Sequence, residues 1–94
     1  MQISLDYAKA NRQANSLEQC ADDMMQQSRE VANIIADIRR VWKGDTSNAY
    51  IRKLEVLEKE LSANSAKCRS DAAEFKARIQ AIKKADEDVK KVIE

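Results

Sequence analysis

The sequence predicts an all-α protein, an antiparallel helix-turn-helix hairpin that dimerises into a four-helix bundle. Three observations carry this. Apolar residues recur at steps of three and four in both halves of the chain, which is the helical period. The chain has no proline, and its one glycine, Gly44, stands near the middle, where a residue free to take φ > 0 lets the backbone leave one helix and enter another. One Gly and no Pro also leave too little turn chemistry for a β-sandwich or barrel.

The first helix is expected over about residues 5–41. Leu17, Cys20, Met24, Val31, Ile34, Ile38 and Val41 form one apolar row, and Ala21, Ile35 and Trp42 form a second beside it. The resulting stripe is broader than one partner helix covers, which argues for a bundle. Ile3, Tyr7 and Ala10 keep the register at the start, where the helix either continues or frays.

The turn is expected at residues 42–45, Trp42-Lys43-Gly44-Asp45. Trp42 is the only tryptophan, and its size suits it to plug the end of the helix pair. It is expected to pack against the start of the second helix, near Tyr50.

The second helix is expected over about residues 46–88, with Asp45 or Thr46 capping the free amides of its first turn. Leu54, Leu61, Cys68, Phe75, Ile82 and Val89 are spaced by seven, with Leu57, Ala72, Ile79 and Val92 between them. Glu55–Lys59, Glu74–Arg78, Asp86–Lys90 and Glu87–Lys91 are acid-first i,i+4 pairs, each adding a few tenths of a kcal/mol. Ser62-Ala63-Asn64-Ser65 interrupts the apolar pattern opposite Met24 and Met25, with Asn64 expected near the seam. Each helix would run about 60 Å at ~1.5 Å per residue. The expected object is a rod.

A hairpin of this size encloses no interior, so a second subunit is expected. The core shared between hairpin and dimer is expected to hold Leu17, Met24, Val31, Ile35, Ile38, Leu54, Leu61 and Phe75.

Charge narrows the partners. The 17 basic and 16 acidic residues leave a net charge of +1, and neither side of Gly44 holds the basic excess that neutralises phosphates. Nucleic acid is therefore not an expected partner. No apolar stretch is long enough to span a bilayer, and Met1 to Asp6 do not read as a conventional signal peptide. Lysis by surface binding is disfavoured too, because the polar faces mix both signs.

Catalytic chemistry is thin. Without a histidine the Ser-His and Cys-His arrangements and the usual imidazole metal ligand are missing. Glu55-x-x-Glu58 is at most half of a bundle di-metal motif and reads as solvated surface charge. No glycine-rich loop can cradle a phosphate. A non-enzymatic protein without cofactor or metal is expected. Cys20 and Cys68 each lie 24 residues from Gly44, which puts them at similar height on opposite helices. They read first as small buried hydrophobes, with a disulfide between them left open.

The chain as a whole resembles the WXG superfamily, the small ESAT-like substrates of type VII secretion in Gram-positive bacteria. Trp42-Lys43-Gly44 matches the family's central Trp-X-Gly, at mid-chain between two helical segments. Ile82, Asp86, Val89 and Ile93 match its C-terminal export pattern: a hydrophobic residue, an acid four on, then hydrophobic residues three and four further. The Tyr-x-x-x-Asp/Glu form is absent because position 82 is Ile, which makes the resemblance Firmicutes-like. It implies export as a folded dimer, without a cleaved signal peptide, from the cytoplasm to the outside. The export segment would be about residues 82–94, read by the membrane-bound secretion ATPase. The partner would be a second copy or a paralogous hairpin. Two other readings remain: a helical partner or chaperone of a larger secreted toxin, and a cytoplasmic coiled-coil adaptor.

Overall fold

The fold was analysed in a computed structural model, which describes residues 6–93; Ile3, the expected helix start at residue 5 and the last residue of the export segment lie outside them. Two helices make up the fold, α1 (Tyr7–Val41) and α2 (Asp45–Ile93), packed along their length as a helical hairpin. The rod measures 75 × 16 × 15 Å.

Asp6 caps α1 in extended backbone, its carboxylate accepting from the Lys9 amide at 2.9 Å. The helix ends at Trp42, whose backbone is extended and whose N–H donates to the Ile38 carbonyl at 2.8 Å. Arg39 and Arg40 in the last turn suit the negative end of the helix dipole. Gly44 then reverses the chain at φ +120°, the one positive φ among the described residues. L side chains rarely adopt that angle.

The expected cap of the second helix is corrected. Neither Asp45 nor Thr46 caps it; the Gly44 carbonyl opens the helix, accepting from the Asn48 amide at 3.1 Å and the Ser47 hydroxyl at 2.9 Å. Asp45 instead lies in the first turn, where its charge suits the dipole. The far end is corrected as well. α2 runs to Ile93, beyond the expected residue 88, because nothing after Ala85 breaks a helix and Lys90 and Lys91 suit its last turn.

The seam between the helices differs from the one the large residues suggest. In α1 its buried line is Ala14, Ala21, Ser28 and Ile35, each seven residues from the next. In α2 it is Ile51, Ser65, Ala72 and Ile79, with half-buried Glu58 and Asp86 in the same register. In the middle of the seam Ala14, Ala21, Ser28, Ser65 and Ala72 let the two backbones approach, and the large residues there stand three positions round each helix; towards the two ends Ile35, Ile51 and Ile79 fill the seam themselves. Val31, Ile35 and Ile51 form the buried cluster near the turn, with Ile38, Leu54 and Leu61 packed against it. Met24, Cys68 and Phe75 are half-buried, and Leu17 is exposed rather than core. The row of sevens from Leu54 to Val89 is therefore the shoulder of the seam, not its centre.

Serine hydroxyls satisfy themselves inside the seam. Ser65 donates to the Ala21 carbonyl at 2.6 Å and Ser28 to the Glu58 carbonyl at 3.1 Å. It is thus Ser65 that enters the seam; Asn64 is exposed. No buried side-chain nitrogen or oxygen among the described residues lacks a partner.

Candidate functional site

An antiparallel pair has a local two-fold axis perpendicular to the plane of its helices, so equivalent positions of both helices fall on the same flank. Three residues on from the seam come Leu17, Met24, Val31 and Ile38 of α1, and Leu54, Leu61, Cys68 and Phe75 of α2. Both rows line one flank. Exposed Ile34, Tyr50 and Leu57 widen it.

The other flank is electrostatic. Four residues on from the seam stand Glu18 and Arg39 of α1, and Glu55, Arg69 and Lys76 of α2. Arg39 pairs with Glu55 at 2.8 Å, Lys76 with Glu18 at 2.5 Å and Arg69 with Asp22 at 2.7 Å. Among the described residues these are all the ion pairs that join the two helices. Each is solvent-exposed and worth at most about 1 kcal/mol, yet together they close this side with matched charge. The hairpin has one salt-bridged side and one apolar side, whose inner rows are mostly half-buried and whose margin of Ile34, Tyr50 and Leu57 is exposed.

Of the expected i,i+4 pairs, Glu74–Arg78 forms at 2.7 Å. Glu55 turns across to Arg39 of the neighbouring helix instead of pairing with Lys59. Asp86 turns inward to Tyr7 instead of Lys90.

At the turn, the Trp42 and Tyr50 rings lie 6.4 Å apart and tilted by 46°, within the range of favourable aromatic pairs. Trp42 remains 47% exposed, so it covers the end of α2 without filling a closed pocket.

At the open end, the Tyr7 hydroxyl donates to Asp86 Oδ2. This bond, with burial and the nearby charges of Asp86 and Glu87, pushes the Tyr7 hydroxyl up to about 12. Ile82, Val89 and Ile93 are 46%, 57% and 79% exposed, whereas Asp86 is half-buried. The four residues of the C-terminal pattern thus share one side of α2, three facing solvent and the acid facing α1. Sequence reasoning missed the role of Tyr7. Its signal is the row of sevens Tyr7, Ala14, Ala21, Ser28 and Ile35, which places an aromatic hydroxyl at the head of the small-residue seam.

Cys20 is exposed and Cys68 half-buried, both as free thiols. The expectation of two buried hydrophobes is corrected for Cys20, which lies outside the seam because Ala21 takes the inward position. The described residues hold no cluster of Cys, Asp and Glu able to bind a metal ion, and no helix among them is long and apolar enough to cross a membrane.

No family model, curated protein or solved structure matches the chain.

Proposed function

We propose that this hairpin is a small, non-enzymatic substrate of a type VII secretion system, exported as a folded dimer through the C-terminal pattern Ile82, Asp86, Val89 and Ile93. The observation that carries the reading is the place of Trp42-Lys43-Gly44: it forms the link between two packed helices, with Gly44 at the positive φ that reverses the chain. The lone glycine accounts for the turn by itself; what the resemblance adds is the only tryptophan two residues before it, packed against Tyr50. The C-terminal pattern supports it from a separate part of the chain, as an amphipathic helical end suited to an apolar groove.

The dimer half of the proposal rests on the apolar flank. The rod's 75 Å length and 15–16 Å width leave a side long enough for a standard interface of roughly 800 Å² per partner. Its apolar rows come from both helices, so a second copy meets it by two-fold symmetry. The ion-paired flank has no such use.

A cytoplasmic coiled-coil adaptor is the second reading, and one observation favours it. Asp86 has a partner in Tyr7, so its carboxylate already has a structural use. The experiment that separates the two is secretion of a chain truncated after Ala85, measured as the ratio of protein in the medium to protein in cells. Export should be lost while the melting transition is kept. Normal export of the truncated chain leaves the adaptor reading ahead.

A further inference from the structure

We propose that Tyr7 is a latch on the C-terminal segment: its hydrogen bond to Asp86 holds the carboxylate inside the hairpin, and a receptor reads the segment only when that bond opens. The inference rests on the export reading above and adds a control to it.

The four residues of the C-terminal pattern are not equally exposed. Ile82, Val89 and Ile93 are exposed in the folded hairpin, and Asp86 is half-buried and turned towards α1. A groove that takes this line of α2 as one helical face has to reach the acid between its apolar neighbours. The first turn of α1 stands in that approach, held by the Tyr7 hydroxyl on Oδ2. Among the described residues the bond is also the outermost hydrogen bond between the helices. Tyr7 is the first residue of α1, and α2 continues past Asp86 to Ile93. Hydrogen bonds to charged groups are among the stronger ones, so one bond at this place sets how often the end of the hairpin opens. The opening is confined to the end: Ala14 is the next small seam position of α1, and Ile79, 2% exposed, is the large seam side chain that must stay packed behind it. A receptor cation that replaces the hydroxyl leaves no buried charge unpaired, so the exchange is close to balanced.

The test uses the full chain and Tyr7→Phe, which keeps the ring and removes the donor, with Tyr50→Phe as the control for losing a hydroxyl elsewhere. Amide hydrogen exchange over residues 83–93 should speed up about tenfold in Tyr7→Phe, as expected for a lost hydrogen bond to a charge, and stay unchanged in Tyr50→Phe. Export of Tyr7→Phe should rise severalfold over the natural chain. Unchanged exchange shows that Tyr7 holds nothing and overturns the latch. Faster exchange with unchanged or lower export overturns the gating role. Loss of export on truncation after Ala85, together with either of those results, leaves the export reading standing and removes only the latch; normal export of the truncated chain removes both.

Discussion

Ser65 donates its hydroxyl to the carbonyl oxygen of Ala21 at 2.6 Å, with both residues fully buried between the two helices. The carbonyl lies inside α1 and has a second lone pair free for this bond. The contact fixes the register of the hairpin at a level where neither helix has a large side chain to lock it. Ser28, with its bond to the Glu58 carbonyl, does the same one heptad nearer the turn.

Close approach of the backbones leads to the first prediction. Ala21→Leu and Ala72→Leu should each destabilise the hairpin by about 1–3 kcal/mol, since neither site has room for three more carbons. Ser65→Ala, which loses only the hydrogen bond, should cost about 1 kcal/mol. In a chain of this size each kcal/mol lowers the melting temperature by about 4–8 °C. Equal melting of Ala21→Leu and the natural chain would show that the seam is looser than the burial of Ala21 requires.

Gly44 carries the second prediction. A Cβ there meets nothing within 4 Å, but φ is +120°, so the cost of a side chain is in the backbone and not in crowding. Gly44→Ala and Gly44→Val should therefore both destabilise, each by about 1–3 kcal/mol. A harmless Gly44→Ala in thermal melting would mean that the turn relaxes to another conformation.

The hairpin and its turn were legible because the features that set them are local: a helical period without breakers, and one glycine in the middle. The identity of the seam was not. Sequence reasoning weights positions by apolar size, so it favoured Leu54, Leu61 and Phe75 over Ser65 and Ala72. In the middle of this hairpin that weighting fails, because the close approach there takes small residues and the large side chains stand on the shoulder, while Ile35, Ile51 and Ile79 still fill the seam towards its ends. The bonding of Asp86 was hidden for a related reason. A carboxylate in an apolar row reads as a docking feature until the partner on the other helix, Tyr7, is placed against it.

The displaced large residues give the third prediction. Ile35 is unsuitable as a probe of dimerisation, since it is buried within one hairpin and an unpaired carboxylate there would unfold the chain. Ile34 and Leu57 are exposed on the apolar flank. Ile34→Glu with Leu57→Glu should leave helicity by circular dichroism unchanged and reduce the mass by light scattering to that of one chain. Removing charge from the opposite flank, with Arg39→Gln and Glu55→Gln, should leave the dimer intact. A natural chain that is monomeric at micromolar concentration would refute the interface.

The last prediction concerns pH. The Tyr7 hydroxyl ionises near 12, mainly because its hydrogen bond to the Asp86 carboxylate favours the neutral form, while a tyrosine in an unfolded chain ionises near 10. Between those values the folded chain retains a proton that the unfolded chain has lost, so stability falls as pH rises. The contribution of this contact is complete below about pH 10 and lost by about pH 12. With Tyr50→Phe as background, Tyr7 is the only tyrosine left, and the tyrosinate absorbance of the folded protein should rise with a midpoint near 12. Adding Asp86→Asn removes the negative acceptor and should move that midpoint down towards 10. A midpoint near 10 with Asp86 present would mean that the hydroxyl and the carboxylate are not bonded in solution, and the tie at the open end of the hairpin would go with it.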